Sequence, residues 1–383
     1  MQNLTLGPHL FPNLRSISWT CSSWDSAPLL RLFLNPELID VEIGFPNSDP
    51  HIYRPATISL IPARSLTNLK LERMAFSDPL PTDELHNLLE QASETLRSVD
   101  LDGELSGTII EKLLQLPNLR RLDIRMPGTR IALPAVVLPS LEELAVSCWE
   151  DASWLCVLRN IQSPALRELD ISFSGDSPTY LQTFGTSLLD ARIEQTLISL
   201  DLASLAGIPL TEAGLRPFIS FRKLTKLELF SLCTTWHCSF RLNDSIISKL
   251  AVALPRLTHL GLGGTPCETS TVDVTIASLV ALSINCVDLD VLRLHFNVND
   301  IVSRDACENS QTHKFTCKLR TLIVGSQPLP SNHDDILLLT FTILHVFPHL
   351  EDITAEGQGW GQVGQGVHLF KKAQKIIPFP TTN

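Results

Sequence analysis

Apolar residues recur along this chain in one six-residue phrase, Leu-x-x-Leu-x-Leu, with Ile, Val or another apolar residue often standing in the fourth and sixth places. Thirteen copies begin at Leu14, Leu38, Leu66, Leu96, Leu119, Leu141, Leu166, Leu197, Leu224, Leu257, Leu289, Leu319 and Leu350, 22 to 33 residues apart. The last four residues of each copy alternate polar and apolar, the period of a strand with one buried face. Between the phrases, helical periodicity predicts helices over Thr82–Ala92, Gly107–Leu116, Ala152–Ile161, Asp244–Leu254, Val272–Ile284 and Asp334–Val346. Several open on Asp, Ser or Thr, whose side chains satisfy the free N–H groups of a first turn. A proline often stands two residues before the next phrase, at Pro12, Pro36, Pro117, Pro139, Pro164, Pro255 and Pro348, where it stops the helix. Strand and helix thus alternate once per phrase.

A strand repeated in this way needs a neighbour on each side for its backbone groups, so the expected architecture is α/β. Specifically, the phrases predict an irregular leucine-rich-repeat solenoid over residues 1–355, a horseshoe with a parallel sheet on its concave face and helices on its convex face. Residues 356–383 are expected to form a Gly-rich loop and a tail or capping helix. A doubly wound sheet also alternates strand and helix, but it does not repeat one phrase thirteen times. The usual repeat places Asn or Cys eight residues after the first Leu to bond the turn that leaves the strand, and Asn297 alone fits that position. The other turns must close by different means. The first strand, with Ile17 and Trp19, is expected to lack a polar cap, which would fit a chain that begins further upstream.

With these phrases and variable helices, the chain resembles the substrate-recognition half of fungal F-box proteins with leucine-rich repeats. In that family an F-box binds the Skp1 adaptor of a cullin ubiquitin ligase, and the repeats hold the protein to be ubiquitinated. Only Met1 to Phe11 precede the first phrase, whereas an F-box spans some forty residues, so adaptor binding falls on no residue of this chain. The resemblance therefore implies Skp1 and cullin as partners only if an F-box lies upstream. A scaffold or regulatory binding protein with no ubiquitin role is the alternative.

Apolar residues make up 44% of the chain and are spread evenly, which favours one continuous body. Charged residues are 19%, and the net charge of −11 opposes general binding to nucleic acid or an anionic membrane. The longest apolar run, Ile336 to Phe347, is shorter than the ~20 residues of a membrane span and reads as a buried helix capped by Asn332 or Asp334. The nine cysteines follow no framework spacing and no signal peptide precedes them, so reduced thiols in cytoplasm or nucleus are expected.

Candidate chemistry is sparse. Gly359, Gly361 and Gly364 match the spacing of a dinucleotide loop, but the second strand and acidic residue that such a fold needs do not follow, so they read as a loop leaving the last repeat. Cys233, His237 and Cys238 crowd one segment and Cys307, His313 and Cys317 another, without the Cys-x-x-Cys spacing that suits zinc. No nucleophile elbow or Walker loop is present, and neither catalysis, metal nor cofactor is expected.

The third and fifth residues of each phrase should face out of the concave sheet. In the second to ninth phrases these are Asp40, Glu42, Asn68, Lys70, Ser98, Asp100, Arg121, Asp123, Glu143, Ala145, Glu168, Asp170, Ser199, Asp201, Lys226 and Glu228. Nine are acidic and three basic, and like charges on adjacent strands repel across about 5 Å. A protein partner with a basic surface is the expected ligand, although solubilising positions would also be polar. The later set, His259, Gly261, Val291, Arg293, Thr321, Ile323, Asp352 and Thr354, is milder and partly apolar.

Overall fold

In every phrase the strand begins at the third residue, and the fourth residue points into the core, as does the sixth in the phrases from Leu38 to Leu319. The computed structural model describes residues 11–20, 27–30, 32–45, 58, 61, 64–72, 82–126, 135–148, 158, 161–174, 177, 179–204, 208–231, 241–263, 272–298, 315–325, 329, 332–355 and 360–376. The chain divides into two compact units, Met1–Phe173 and Ser174–Asn383. In the first, Ser16–Thr20 (β1), Asp40–Gly44 (β2), Asn68–Glu72 (β3), Ser98–Glu104 (β4) and Arg121–Arg125 (β5) lie side by side in sequence order. Glu143–Cys148 (β7) and Glu168–Phe173 (β9) continue that sheet, while Val136–Val137 (β6) and Ile161–Gln162 (β8) form a separate small one. In the second unit, Ser199–Ser204 (β10), Lys226–Ser231 (β11), His259–Leu262 (β12), Val291–Leu294 (β13), Thr321–Val324 (β14) and Asp352–Ala355 (β15) are likewise consecutive. Among the described residues every pairing is parallel, and within the phrases it joins equivalent positions, as in Leu69↔Val99 and Leu227↔Leu260; past the phrase the register shifts between β4 and β5, where Glu104 pairs with Arg125. The protein is therefore α/β with all-parallel sheets, and an inward leucine such as Leu69, Leu122, Leu200 or Leu292 is at most 1% exposed.

One hydrogen-bond motif repeats at each junction within a unit. The second and third N–H groups of a phrase both donate to the second carbonyl of the preceding phrase: Ile39 and Asp40 to Arg15, Arg120 and Arg121 to Arg97, Asp290 and Val291 to Thr258. Ahead of the strand a tight turn carries the chain in, its first residue being the third before the leading Leu. The Leu N–H donates back to that residue's carbonyl, as Leu38 to Asn35, Leu166 to Ser163 and Leu350 to Phe347. The recurrent prolines occupy the second position of this turn, where their fixed φ suits the bend. Their role is thus wider than stopping a helix.

The missing asparagine ladder has a counterpart in the same turn. Asn35, 1% exposed, donates from Nδ2 to the Phe11 and Leu14 carbonyls at 2.9 Å each and accepts from Glu37 N–H at 2.8 Å. Ser163 Oγ donates to Leu141 O at 2.6 Å, and Cys286 Sγ reaches the Ala251 and Leu254 carbonyls. Cys317 Sγ in turn reaches the carbonyls of Cys286 and Leu289. At these four turns buried carbonyls that the strands do not use are bonded on the side where the chain enters the strand.

The return segments differ between repeats. Intervals of 30 residues or more hold the helices Thr82–Gln91, Asp244–Ala253, Ile276–Asn285 and His333–Val346, all but the third close to their expected spans. Gly107–Leu113 and Ile276–Asn285 are shorter than the periodicity suggests, the latter because Thr275 is its N-cap and accepts from Ala277 N–H. Asn332, not Asp334, caps the last of the four. The intervals after Leu119 and Leu141 contain β6 and β8 instead, although the equally short intervals after Leu14 and Leu96 contain the helices Ala27–Leu30 and Gly107–Leu113. Ile161 is accordingly a strand residue rather than the end of a helix. Apart from Ile161 and Leu158, the expected 152–161 helix lies outside the described residues.

Sequence periodicity does not anticipate the Tyr180–Asp190 helix, whose centre is Gly185. A Cβ there would stand 2.6 Å from Pro217, so the glycine admits the Arg216–Ser220 turn packed against it. The Gly-rich segment is also helical, from Gly361 to Ile376. That helix packs on β15 and on His333–Val346, with Trp360, Val363 and Val367 buried and Gly364 facing the Ile353 carbonyl. Gly361 and Gly364 are therefore helix residues and not a loop; Gly359 lies outside the described residues. At the other end Ile17 is buried at 8% exposure, and Trp19 packs on Phe33, which stacks on Phe11.

Candidate functional site

The outward positions of the first unit form two adjoining recesses. Strand register sets Asp40, Glu42, Lys70, Asp100, Asp123, Glu143, Glu168 and Asp170 on one face of the sheet. A recess of ≈480 Å³ spans Ser16 to Arg121, and one of ≈450 Å³ lies between Lys70 and Ser147; both touch Lys70 and Asp100.

Around the recesses most acids have a cation or donor in place. Lys70 Nζ sits 3.1 Å from Glu42 and 2.5 Å from Glu72, and these two carboxylates hold it firmly protonated. A hydrogen bond from Ser18, then Lys70, lowers the Glu42 carboxyl below its usual range. Asn68 bonds Asp40, Arg121 lies 3.4 Å from Glu143, and Arg125 lies 2.8 Å from Asp102. The expected like-charge repulsion is therefore relieved by a cation at Glu42 and Glu143 and by an amide at Asp40.

Asp100 and Asp123 are the exception. They are in-register neighbours on β4 and β5, half-buried, and among the described residues neither forms a hydrogen bond or ion pair. Burial, then the charges of Asp100, Asp170 and Asp102, push the Asp123 carboxyl up to about 6, with Arg121 opposing. Burial likewise raises Asp100, against Lys70 and Arg121. Such a pair stores electrostatic energy that an incoming cation would release. Glu168 and Asp170 lie exposed beyond it.

Glu72, Asp102, Arg125 and Ser147, which line the ≈450 Å³ recess, were not among the expected outward residues. All stand at the seventh position, one past the phrase. The signal was present, since period-two alternation continues beyond the sixth residue, but a six-residue template stops short of it.

On the second unit the candidate acids are neutralised internally. Lys226 Nζ lies 3.0 Å from Asp201 and 3.9 Å from Glu228, while Arg293 Nη1 lies 2.6 Å from Glu228. Glu228 reaches Arg293 across an intervening strand because Gly261 has no side chain; a Cβ there would meet Glu228 Cγ at 3.0 Å. Gly261, an expected outward position, is buried beneath that bridge. Arg293 also lies over the Phe230 ring, 5.6 Å from its centroid. His259 Nδ1 is 2.9 Å from Thr258 Oγ1.

Of the cysteine and histidine clusters only Cys317 is described. It and Cys286 are buried, and burial pushes the Cys286 thiol up to about 12 and raises Cys317 as well, which suits hydrogen-bonding roles in turns rather than nucleophilic ones. Cys233, His237, Cys238, Cys307 and His313 lie outside the described residues. Among the described residues no group of His, Cys, Asp and Glu could hold a metal ion, and no helix is long and apolar enough to cross a membrane. Neither a protein family model nor a curated protein sequence matches the chain.

Proposed function

We propose that this chain is a protein-recognition array of the leucine-rich-repeat type, binding rather than catalytic, whose open sheet face receives a basic surface of a partner protein at the Asp100–Asp123 recess. One observation carries the reading: these two carboxylates are half-buried and in register with no ion pair or hydrogen bond among the described residues, while Glu42 and Glu143 on the same face each have a cation in contact. A lysine or arginine side chain entering the recess supplies the missing charge. At an effective dielectric near 20, each close carboxylate contact contributes on the order of 4 kcal/mol before desolvation of the cation is subtracted.

The test is affinity purification from the native cell with wild type and with Asp100→Asn/Asp123→Asn. The isosteric variant should lose its partner by at least about tenfold and bind with weaker salt dependence, while melting no lower than wild type. Equal partner recovery by both proteins would falsify the reading. Substrate recognition for an SCF-type ubiquitin ligase is the specific form suggested by the family resemblance, and recovery of Skp1 and cullin with the chain supports it. A partner recovered without either assigns the chain a scaffold or regulatory role.

A further inference from the structure

The helical side of the second unit carries an apolar recess of the opposite electrical character. Its volume is ≈790 Å³, and Ile219, Val252, Ala253 and Pro255 line it with Arg222 and Lys249 at the rim. Val252 is 66% exposed, the highest value among the exposed large hydrophobic side chains of the described residues. Its position is systematic: Ile219, Val252 and Ile284 each stand five residues before the leading Leu of their phrase (224 − 219, 257 − 252 and 289 − 284). The Arg216–Ser220 turn packs against the Asp244–Ala253 helix, which packs against the Ile276–Asn285 helix, so equivalent positions form an apolar row. Ile284 is itself 43% exposed.

The charge beside this row is basic in a chain whose net charge is −11. Arg216, Arg222, Lys223 and Arg256 are exposed around it. The nearby acids are engaged: Glu212 with Lys249 at 3.0 Å, and Asp244 with the Thr275 N–H and the Thr275 and Ser278 hydroxyls. Arg222 has no ion pair among the described residues. One phrase further on the charge is balanced, with Asp288 holding Lys318 at 2.7 Å.

We propose that this recess is a second docking surface, for a short acidic peptide segment that carries a large aliphatic or aromatic anchor. The anchor fills the space between Ile219 and Val252, and a flanking carboxylate meets Arg222, with Lys249, already paired to Glu212, beside it. Charge complementarity selects the occupant, since an apolar surface ringed by arginine and lysine rejects a basic ligand and rewards an acidic one. The surface is separate in residues and in sign from the acidic recess of the first unit.

The experiment is panning of short random phage-displayed peptides against the full chain, followed by fluorescence anisotropy of the best synthetic peptide. The expected peptides combine Asp or Glu with Leu, Ile, Phe or Trp. Arg222→Glu and Val252→Asp should each weaken the peptide by about tenfold or more, and Asp100→Asn/Asp123→Asn should leave it unchanged. A Glu→Lys change in the peptide should restore binding to Arg222→Glu, an outcome that misfolding does not produce. Basic or uncharged consensus peptides, or acidic ones indifferent to both substitutions, overturn the proposal. So does Arg222-dependent binding to phosphatidylserine vesicles without peptide binding, which would make the surface a membrane contact.

Discussion

Asp123 titrates near 3.8 in an unfolded chain and about 6 in this fold. Below the lower value the carboxyl is neutral in both states and leaves stability unaffected. As pH rises from there, the unfolded chain releases its proton first, so stability falls until the folded carboxyl has also ionised above pH 6. A displacement of that size corresponds to at most about 3 kcal/mol, and solvent screening of a partly buried group reduces it to roughly 1–2 kcal/mol. Asp123→Asn should therefore raise the unfolding free energy by that amount at neutral pH, with the gain shrinking as pH falls through 6 towards 3.8 in urea titrations. A gain independent of pH would mean that the carboxyl is not strained. Gly325 makes a different residue-scale point, because a Cβ there would lie 1.9 Å from Nδ1 of the buried His295 ring. Gly325→Ala should cost about 1–3 kcal/mol by overpacking, and adding His295→Ala should recover part of it. Equal stability of Gly325→Ala and wild type in denaturant titration would show that the ring can move aside.

At the scale of the element, the leading turn contributes as much to the repeat as the strand does. Asn35 bonds the Phe11 and Leu14 carbonyls from a buried position, so Asn35→Ala removes both bonds and leaves the Leu14 carbonyl without its donor, while Phe11 O keeps the Leu14 N–H. A loss of about 2–4 kcal/mol is expected, against well under 1 kcal/mol for removing an exposed polar contact such as Asn118 to Glu94 O. Thermal melts of the two variants decide whether the turn or the strand ladder sets the stability of the first unit. The helices illustrate the complementary case. Asp244–Ala253 and His333–Val346 carry local signals, an Asn cap in each, and are legible from sequence. Tyr180–Asp190 and Gly361–Ile376 contain glycines that oppose helix locally, and packing against Pro217 and the Ile353 carbonyl makes those glycines useful.

Over the whole molecule, charge acts at two ranges. Removing two carboxylates at Asp100 and Asp123 changes the net charge from −11 only to −9, so long-range steering of a basic partner should persist. Stopped-flow or surface-based kinetics should then show an association rate within about threefold of wild type and a dissociation rate raised at least about tenfold. A fall confined to the association rate would place those acids at a solvated rim instead of in a recess that holds a side chain. The phrase by itself determined the α/β class, the parallel strand order and which leucines are buried, because period two and a repeated local pattern need no distant contact to be read. It also determined which polar residues share the open face. Tertiary structure alone decided which of those charges remain unpaired. Lys70, Arg121, Lys226 and Arg293 neutralise acids that stand 22 to 65 residues away, whereas Asp100 and Asp123 meet across a register that leaves them without a cation. Pairing of charges depends on side-chain reach between strands, on a missing Cβ such as that of Gly261, and on burial, and none of these is a property of the local pattern.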